Sequence, residues 1–333
     1  MIWTEFCLSI KSLSTPKVSL QNPHKKWRII FAGSPAYSIP SLEAILELSN
    51  IEVVGVLTQK AKPAGRGQAL KSSAIGEFAQ NKDLLVLTPD SLKKPDIQAL
   101  IASLYADCGF VIAYGKIIPK AVLDILPLGW LNLHASLLPR WRGASPIQYT
   151  IMSGDAISGV TLMKIDYGLD TGGILTAKEI ELAADETSQS LANKLSSLSA
   201  DLISENLTAY LLGKLSLKSQ PEIGITLAPK IEKTDGQIFW HEPAKVIERK
   251  IRALNPWPGT YSTWQSKKIF IKQAAVFDQD IEPGKIIKTP LGCAIGTSQK
   301  SIFPKTLQLP GKKPLAIEEF LRGYPKFINS SLT

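Results

Sequence analysis

Cysteine is scarce in this 333-residue chain, and its three copies, Cys7, Cys108 and Cys293, are far apart and odd in number. That excludes a disulfide framework and a tetrahedral thiolate zinc site, and it makes a reducing compartment the expectation. Histidine is equally sparse at three copies, and only His134 stands among chemistry-bearing residues; one such histidine cannot build a metal centre, so no metal is expected. No uncharged apolar run reaches the ~18–20 residues that a membrane helix needs. Two signatures are also missing. Gly33-Ser34-Pro35 follows an apolar run and opens a helical pattern, but Pro35 and Ala36 stand where G-x-G-x-x-G would bring glycines or amides to a pyrophosphate. Ser136 lies in Ala-Ser-Leu-Leu with no G-x-S-x-G elbow, which argues against a serine nucleophile.

What is present is a folded-protein composition, 44% hydrophobic and 20% charged, long enough for two domains. The net charge of +9 is unevenly spread. Residues 1–27 hold four lysines and one acid, residues 28–220 are close to neutral with 17 basic and 18 acidic groups, and residues 221–333 carry 17 basic against 10 acidic. A basic rear section behind a neutral middle fits an anionic partner held by a module separate from the chemistry, and it also fits ordinary solubility charge. Residues 1–27 read as a flexible tail: Glu5 interrupts the only apolar segment, and no Arg precedes Arg28, so secretory or organellar targeting is poorly supported and a cytoplasmic location is expected.

From Trp27 the pattern is strand, glycine turn, helix: Arg28-Ile-Ile-Phe-Ala-Gly33, then apolar residues at helical spacing from Ile39 to Leu48. Ile51–Leu57 is a second buried strand that empties into a polar loop, Thr58 to Ser73. Helices about Ser73–Lys82 and Asp90–Leu104 alternate with strands Leu84–Leu87 and Cys108–Ala113. Repeated β-α alternation predicts a Rossmann-like, doubly wound, mainly parallel sheet whose site lies beyond the strands' carboxyl ends. Residues 28–213 form this α/β domain, residues 214–229 read as a linker, and residues 230–333 read as a small β-barrel of short segments, Gln237–Trp240, Ser262–Trp264, Lys268–Phe277, Gly284–Lys288, Cys293–Thr297 and Lys305–Leu309, with one helix about Pro243–Leu254.

The densest chemical constellation is Asn132-Leu-His134-Ala-Ser136-Leu137-Leu138-Pro139-Arg-Trp-Arg142-Gly143. On a strand, Asn132 and His134 project from one face. Asp170 sits in a glycine-rich bend, Gly168-Leu-Asp-Thr-Gly172, which can aim a carboxylate into a cleft. Read singly, His134 fits a core histidine and Asp170 a plain turn residue. Together, an amide for an oxyanion, an imidazole for protons and a carboxylate for the imidazole suit acyl transfer to an amine without a covalent nucleophile.

These runs, with Lys62-Pro-Ala-Gly-Arg-Gly67, Ala113-Tyr114-Gly115-Lys-Ile-Ile-Pro119 and Arg252-Ala-Leu-Asn-Pro-Trp-Pro258, resemble the methionyl-tRNA formyltransferase family over nearly everything from Arg28 onward. The resemblance implies a formyltransferase domain followed by an OB-like barrel, formyl transfer from 10-formyltetrahydrofolate to the α-amino group of initiator methionyl-tRNA, and a monomer with no obligate protein partner and no membrane. It implies Asn132, His134 and Asp170 as the catalytic set. Ser136, Leu137, Leu138 and Pro139, with Tyr114 and Gly115, would contact folate, and Lys62, Arg66 and Lys71, with Lys267, Lys268 and Lys272 of the barrel, would contact tRNA. The chain departs from the family at Ala36-Tyr37, usually acidic then Phe, and at Lys60-Ala61-Lys62, usually Pro-Asp-Arg. Two rivals remain: a formyltransferase for a small amine such as a purine ribonucleotide or amino sugar nucleotide, and an inactive RNA-binding relative. The basic C-terminal region disfavours the first and the intact Asn132, His134 and Asp170 set the second.

Overall fold

The computed structural model describes residues 26–64 and 69–333, so Arg66, Cys7 and nearly all of the N-terminal tail lie outside the described residues. The first unit runs β1 (Trp27–Gly33), α1 (Ile39–Glu47), β2 (Ile51–Leu57), β3 (Lys62–Ala64), β4 (Ala69–Lys71), α2 (Ala74–Asn81), β5 (Val86–Leu87), α3 (Pro95–Ser103) and β6 (Cys108–Ile112). It continues through α4 (Lys120–Leu123), β7 (Trp130–His134), β8 (Arg142–Gly143), α5 (Pro146–Ser153), β9 (Ile157–Lys164), β10 (Ile174–Glu181) and α6 (Ser188–Leu211). Its sheet has the order β10-β9-β7-β6-β1-β2-β5, parallel from β7 to β5, with β9 antiparallel to β7 and β10 antiparallel to β9. The chain order reverses between β1 and β6, where such sheets open a ligand crevice.

Both faces of this sheet are covered, which is why its strands read as continuous apolar runs. Along β1, Ile29 and Phe31 enter one core with α1 and α6, while Ile30 and Ala32 enter the other with Trp130, Val122 and Tyr114. Trp130 is fully buried, its indole N–H donating to Val122 O at 3.0 Å. The indole lies where a Cβ on Gly109 of the neighbouring strand would sit, 2.1 Å from the ring, so the bare backbone at 109 is a packing requirement.

The second unit contains β11 (Leu227–Ala228), α7 (Ala244–Leu254), β12 (Thr260–Trp264), β13 (Lys267–Phe277), β14 (Ile286–Thr289), β15 (Gly292–Gly296), β16 (Ser301–Gln308), β17 (Leu315–Ala316) and α8 (Ile317–Gly323). Strand β11 belongs spatially to the first unit, pairing with β8. The others form the antiparallel order β12-β13-β16-β15-β14, with β17 on β16, around a core of Ile, Trp and Phe side chains. Residues 329–333 pair with both edges, bonding Thr263 on β12 and Gly284 and Ile286 beside β14, so the sheet curls into a barrel. Gln237–Trp240, expected as a strand, is a single bridge from Gln237 to Tyr261 followed by irregular chain: it has to bury Trp240 against Ser262 and enter α7.

Helix α7 joins the units. Its apolar side enters the barrel core, while Arg249 donates to Ser153 O at the end of α5 (3.3 Å) and Arg252 donates to Glu186 O before α6. Ser188 Oγ donates to Asn255 O at 2.8 Å, so the Asn255-Pro-Trp-Pro258 run that follows α7 also docks on the first unit. Among the described residues no helix is long and apolar enough to cross a membrane, and no cluster of three His, Cys, Asp or Glu could hold a metal.

Gly109→Ala drives a methyl group into the Trp130 ring in a site with no free volume. The expected loss is about 1–3 kcal/mol of stability, measured as a lower urea midpoint by tryptophan fluorescence; an unchanged midpoint would contradict this packing.

Candidate active site

Asn132 and His134 lie on one face of β7 at its carboxyl end, while Leu131 and Leu133 enter the opposite core. The next strands bracket the site: Asn132 is level with Val111 on β6 and Met163 on β9, and His134 with Thr161 on β9. The Asn132 amide has no side-chain hydrogen bond to the described residues and is half-exposed, which leaves its donors available.

The imidazole is held at both nitrogens. His134 Nε2 lies 2.7 Å from Trp141 O. A carbonyl only accepts, so Nε2 carries the hydrogen. Nδ1 faces Asp170 Oδ2 at 3.6 Å, with the two side chains 6% and 18% exposed. That spacing is beyond a good hydrogen bond but close enough for the carboxylate to stabilise a proton at Nδ1. Asp170 itself is fixed from another direction, its Oδ2 accepting from the Gly143 N–H at 2.8 Å. Gly143 sits at φ +122°, and a Cβ there would be 2.7 Å from Ala228 O, so the residue must be glycine for β8 to pass this close to both Asp170 and β11.

The loop from Ser136 to Gly143 is held mainly by bonds to residues outside it. Thr161 Oγ1 donates to Ser136 O at 2.7 Å and accepts from Leu138 N–H at 3.1 Å, pinning the loop to β9. Ser136 Oγ donates to Arg140 O at 2.6 Å. Arg140 forms a bidentate pair with Asp155 (2.9 and 2.6 Å), and the Trp141 indole N–H donates to the same carboxylate at 2.8 Å. Ser136 and Leu138 are buried within the loop, and Leu137 and Pro139 are its partly open, apolar members. Tyr114 is likewise buried. Its hydroxyl has no partner among the described residues and burial pushes its pKa up to about 12, while its carbonyl accepts from Ser34 Oγ and Gln59 Nε2, both at 3.0 Å. Gly115, at φ +75°, turns the chain away beside Gln59.

The segment expected as a linker runs along the first unit. Lys218 exchanges backbone bonds with Ile174. Gln220 bonds Arg142 and the carbonyls of Asp170 and Gly172, and Thr226 Oγ1 accepts the Trp141 N–H at 2.8 Å. Strand β11 then pairs with β8 in parallel. Sequence reading missed Thr161, Asp155, Gln220 and Thr226. Asp155 and Thr161 lie 14 or more residues beyond their partners with no motif of their own, and Gln220 and Thr226 sit in a stretch with no periodicity.

The basic residues fall in two places. Lys62 and Lys71 are directly opposite each other on the β3–β4 hairpin. Lys62 Nζ donates to Gln59 Oε1 at 2.5 Å, and Lys60 pairs with Asp90, whose carboxyl it holds below the usual range. On the barrel, Lys268 and Lys272 share the outer face of β13 with Phe270. Lys268 Nζ is 3.7 Å from the centre of the Tyr261 ring on β12 and Lys272 Nζ 6.0 Å from that of Phe270. Lys267 lies on the other face of the same strand by alternation, exposed beside the turn.

Two family profiles match: formyl transferase over residues 28–207 and the formyl transferase C-terminal domain over residues 230–325. A methionyl-tRNA formyltransferase of Hydrogenovibrio crunogenus is 41% identical over 299 residues, 89% of this chain and 96% of that protein. One from Paramagnetospirillum magneticum is 40% identical over 298 residues, 89% and 97% of the two chains. Among solved structures, an N-formyltransferase from Helicobacter canadensis with folinic acid and dTDP-3-aminofucose aligns with TM-score 0.62 at 19% identity, covering 84% of this chain and 98% of its own. HypX from Aquifex aeolicus with tetrahydrofolic acid aligns with TM-score 0.58 at 19% identity over 91% of this chain, which spans about half of HypX (48%). At those identities the two structures share the fold. With its matched domains in the same order and relatives at about 41% identity along nearly their full length, the chain belongs to the methionyl-tRNA formyltransferase family.

Proposed function

We propose that this protein transfers a formyl group from 10-formyltetrahydrofolate to the α-amino group of methionyl-initiator tRNA. The observation that carries the reading is the convergence of Asn132, His134 and Asp170 at the carboxyl end of β7, in a chain of this family. The neutral methionyl amine attacks the formyl carbon, a carbon–nitrogen bond forms, and the bond from that carbon to the folate nitrogen breaks. Asn132 donates an amide hydrogen to the formyl oxygen as it becomes anionic. With Nε2 locked on Trp141 O, Nδ1 is the nitrogen of His134 that takes the proton lost by the amine and passes it to the departing folate nitrogen. Asp170 stabilises the imidazolium between those events. Leu137, Pro139 and the Ala113–Gly115 turn leave adjacent strands and offer apolar surface and backbone groups to a flat pterin ring.

Two features support an RNA acceptor. Like charges directly opposed across the β3–β4 hairpin, Lys62 and Lys71, repel unless an anion sits between them. On the barrel, Lys268 and Lys272 interleaved with Tyr261 and Phe270 suit phosphate and base or sugar contacts together. A small acceptor would use neither.

Asn132→Ala is expected to lower kcat by ~10²–10³ in formylation of saturating methionyl-tRNA; near-normal turnover would remove Asn132 from the chemistry. The paired change Lys268→Ala and Lys272→Ala is expected to weaken tRNA binding and flatten the log Kd against log salt plot by about 0.7–0.9 per lost phosphate contact. An unchanged slope would mean that those lysines only solubilise the barrel. Supplying 10-formyltetrahydrofolate with methionyl-tRNA, a glycinamide ribonucleotide, an amino sugar nucleotide or no acceptor should give formyl transfer to the tRNA alone.

A further inference from the structure

We propose that Gln220 is a positioning residue for Asp170, which makes the chain between the two units a working part of the active site; this rests on the formyl-transfer reading above. Asp170 has φ +51°, a left-handed conformation that a non-glycine residue holds only when its surroundings enforce it. Gln220 supplies the enforcement. Its Nε2 donates to Asp170 O and to Gly172 O, both at 2.8 Å, and its Oε1 accepts both Nε (3.0 Å) and Nη2 (2.7 Å) of Arg142.

Two donors and two acceptor sites are all that a carboxamide has, and every one is used. The orientation of the amide is therefore decided. Turned over, it would set NH2 against the guanidinium and oxygen against two carbonyls. The bonds also close a ring. From Gln220 the path runs to the Asp170 backbone, through the Asp170 carboxylate to Gly143 N–H, along the chain to Arg142, and back to Gln220. The ring is anchored outside itself. Lys218 pairs with Ile174 two residues before Gln220, and Arg142 N–H donates to Thr226 O six residues after it. Elsewhere in the bend, Asp166 accepts from Gly168 N–H and Thr171 Oγ, which orders the preceding turn but touches neither Asp170 carbonyl nor carboxylate.

The test uses Gln220→Ala and Gln220→Glu in the full chain. A glutamate keeps the size and still accepts from Arg142, so the fold is retained, but it has no N–H for the two carbonyls. Both variants are expected to lose about 10²-fold in kcat, the usual cost of ~1 Å misplacement, with KM for methionyl-tRNA and for folate within about twofold of the parent, the pattern of a lost transition-state contribution. Independently of activity, the Gly143 N–H, which is bonded to the Asp170 carboxylate, should exchange with deuterium faster in both. Turnover of Gln220→Glu near the parent value, unchanged Gly143 exchange, or a raised KM for tRNA at unchanged kcat would each overturn the proposal. If Gln220→Ala does not fold, Gln220→Glu decides. A parent enzyme that fails to formylate methionyl-tRNA would overturn the functional reading instead, while the Gly143 exchange would still test the positioning.

Discussion

The bond from His134 Nε2–H to Trp141 O constrains the rest of the site. Because it commits one ring nitrogen to a carbonyl 2.7 Å away, the proposed proton transfer has to pass through the other, and that nitrogen faces Asp170. For the carbonyl to be there, Trp141 adopts φ +62°, and the loop that carries it is tied down on three sides by Thr161, Asp155 and Thr226. None of these three residues approaches the reaction itself in the proposed mechanism. Their contribution is to hold the loop in one conformation, Thr161 and Thr226 by satisfying its backbone, where a buried N–H or C=O left without a partner costs ~1–3 kcal/mol, and Asp155 by holding the Arg140 and Trp141 side chains.

The sheet explains why such a loop can be held so closely. Strand β7 is the last parallel strand, and β9 returns antiparallel beside it, which brings Thr161 level with His134. A further parallel strand would have needed another crossover helix and placed a strand's carboxyl end at that spot. The barrel enters through α7 and through the chain that precedes it. Residues 218–228 therefore serve two ends: they connect the units, and they complete the pairing of β8 and the Asp170 bend.

Much of the architecture was legible from local pattern. Apolar runs at β1, β2 and β6 bounded by Gly or polar loops are the mark of a sheet covered on both faces, and the predicted helices 73–82 and 243–254 differ from α2 and α7 by one residue at the ends. The same-face placement of Asn132 and His134 followed from strand alternation alone. The β3–β4 hairpin inside the basic loop did not, because Lys62–Ala64 and Ala69–Lys71 have no apolar alternation to mark them. Nor did the role of residues 214–229, whose strand is two residues long and pairs with one equally short. The lysines of the barrel were legible as charge, but their division between faces depended on the register of β13.

By itself the sequence determined the fold class, the family and which side chains could do chemistry, because those follow from periodicity and from motifs contiguous in the chain. Only the tertiary structure decided which imidazole nitrogen is free, that Asp170 meets His134 through a left-handed bend, and that Gln220, 50 residues later in sequence, holds that bend in place. Hydrogen bonds between loops depend on where separate strands end in space. No local pattern records that, because each partner is an ordinary polar residue until the sheet brings the two together.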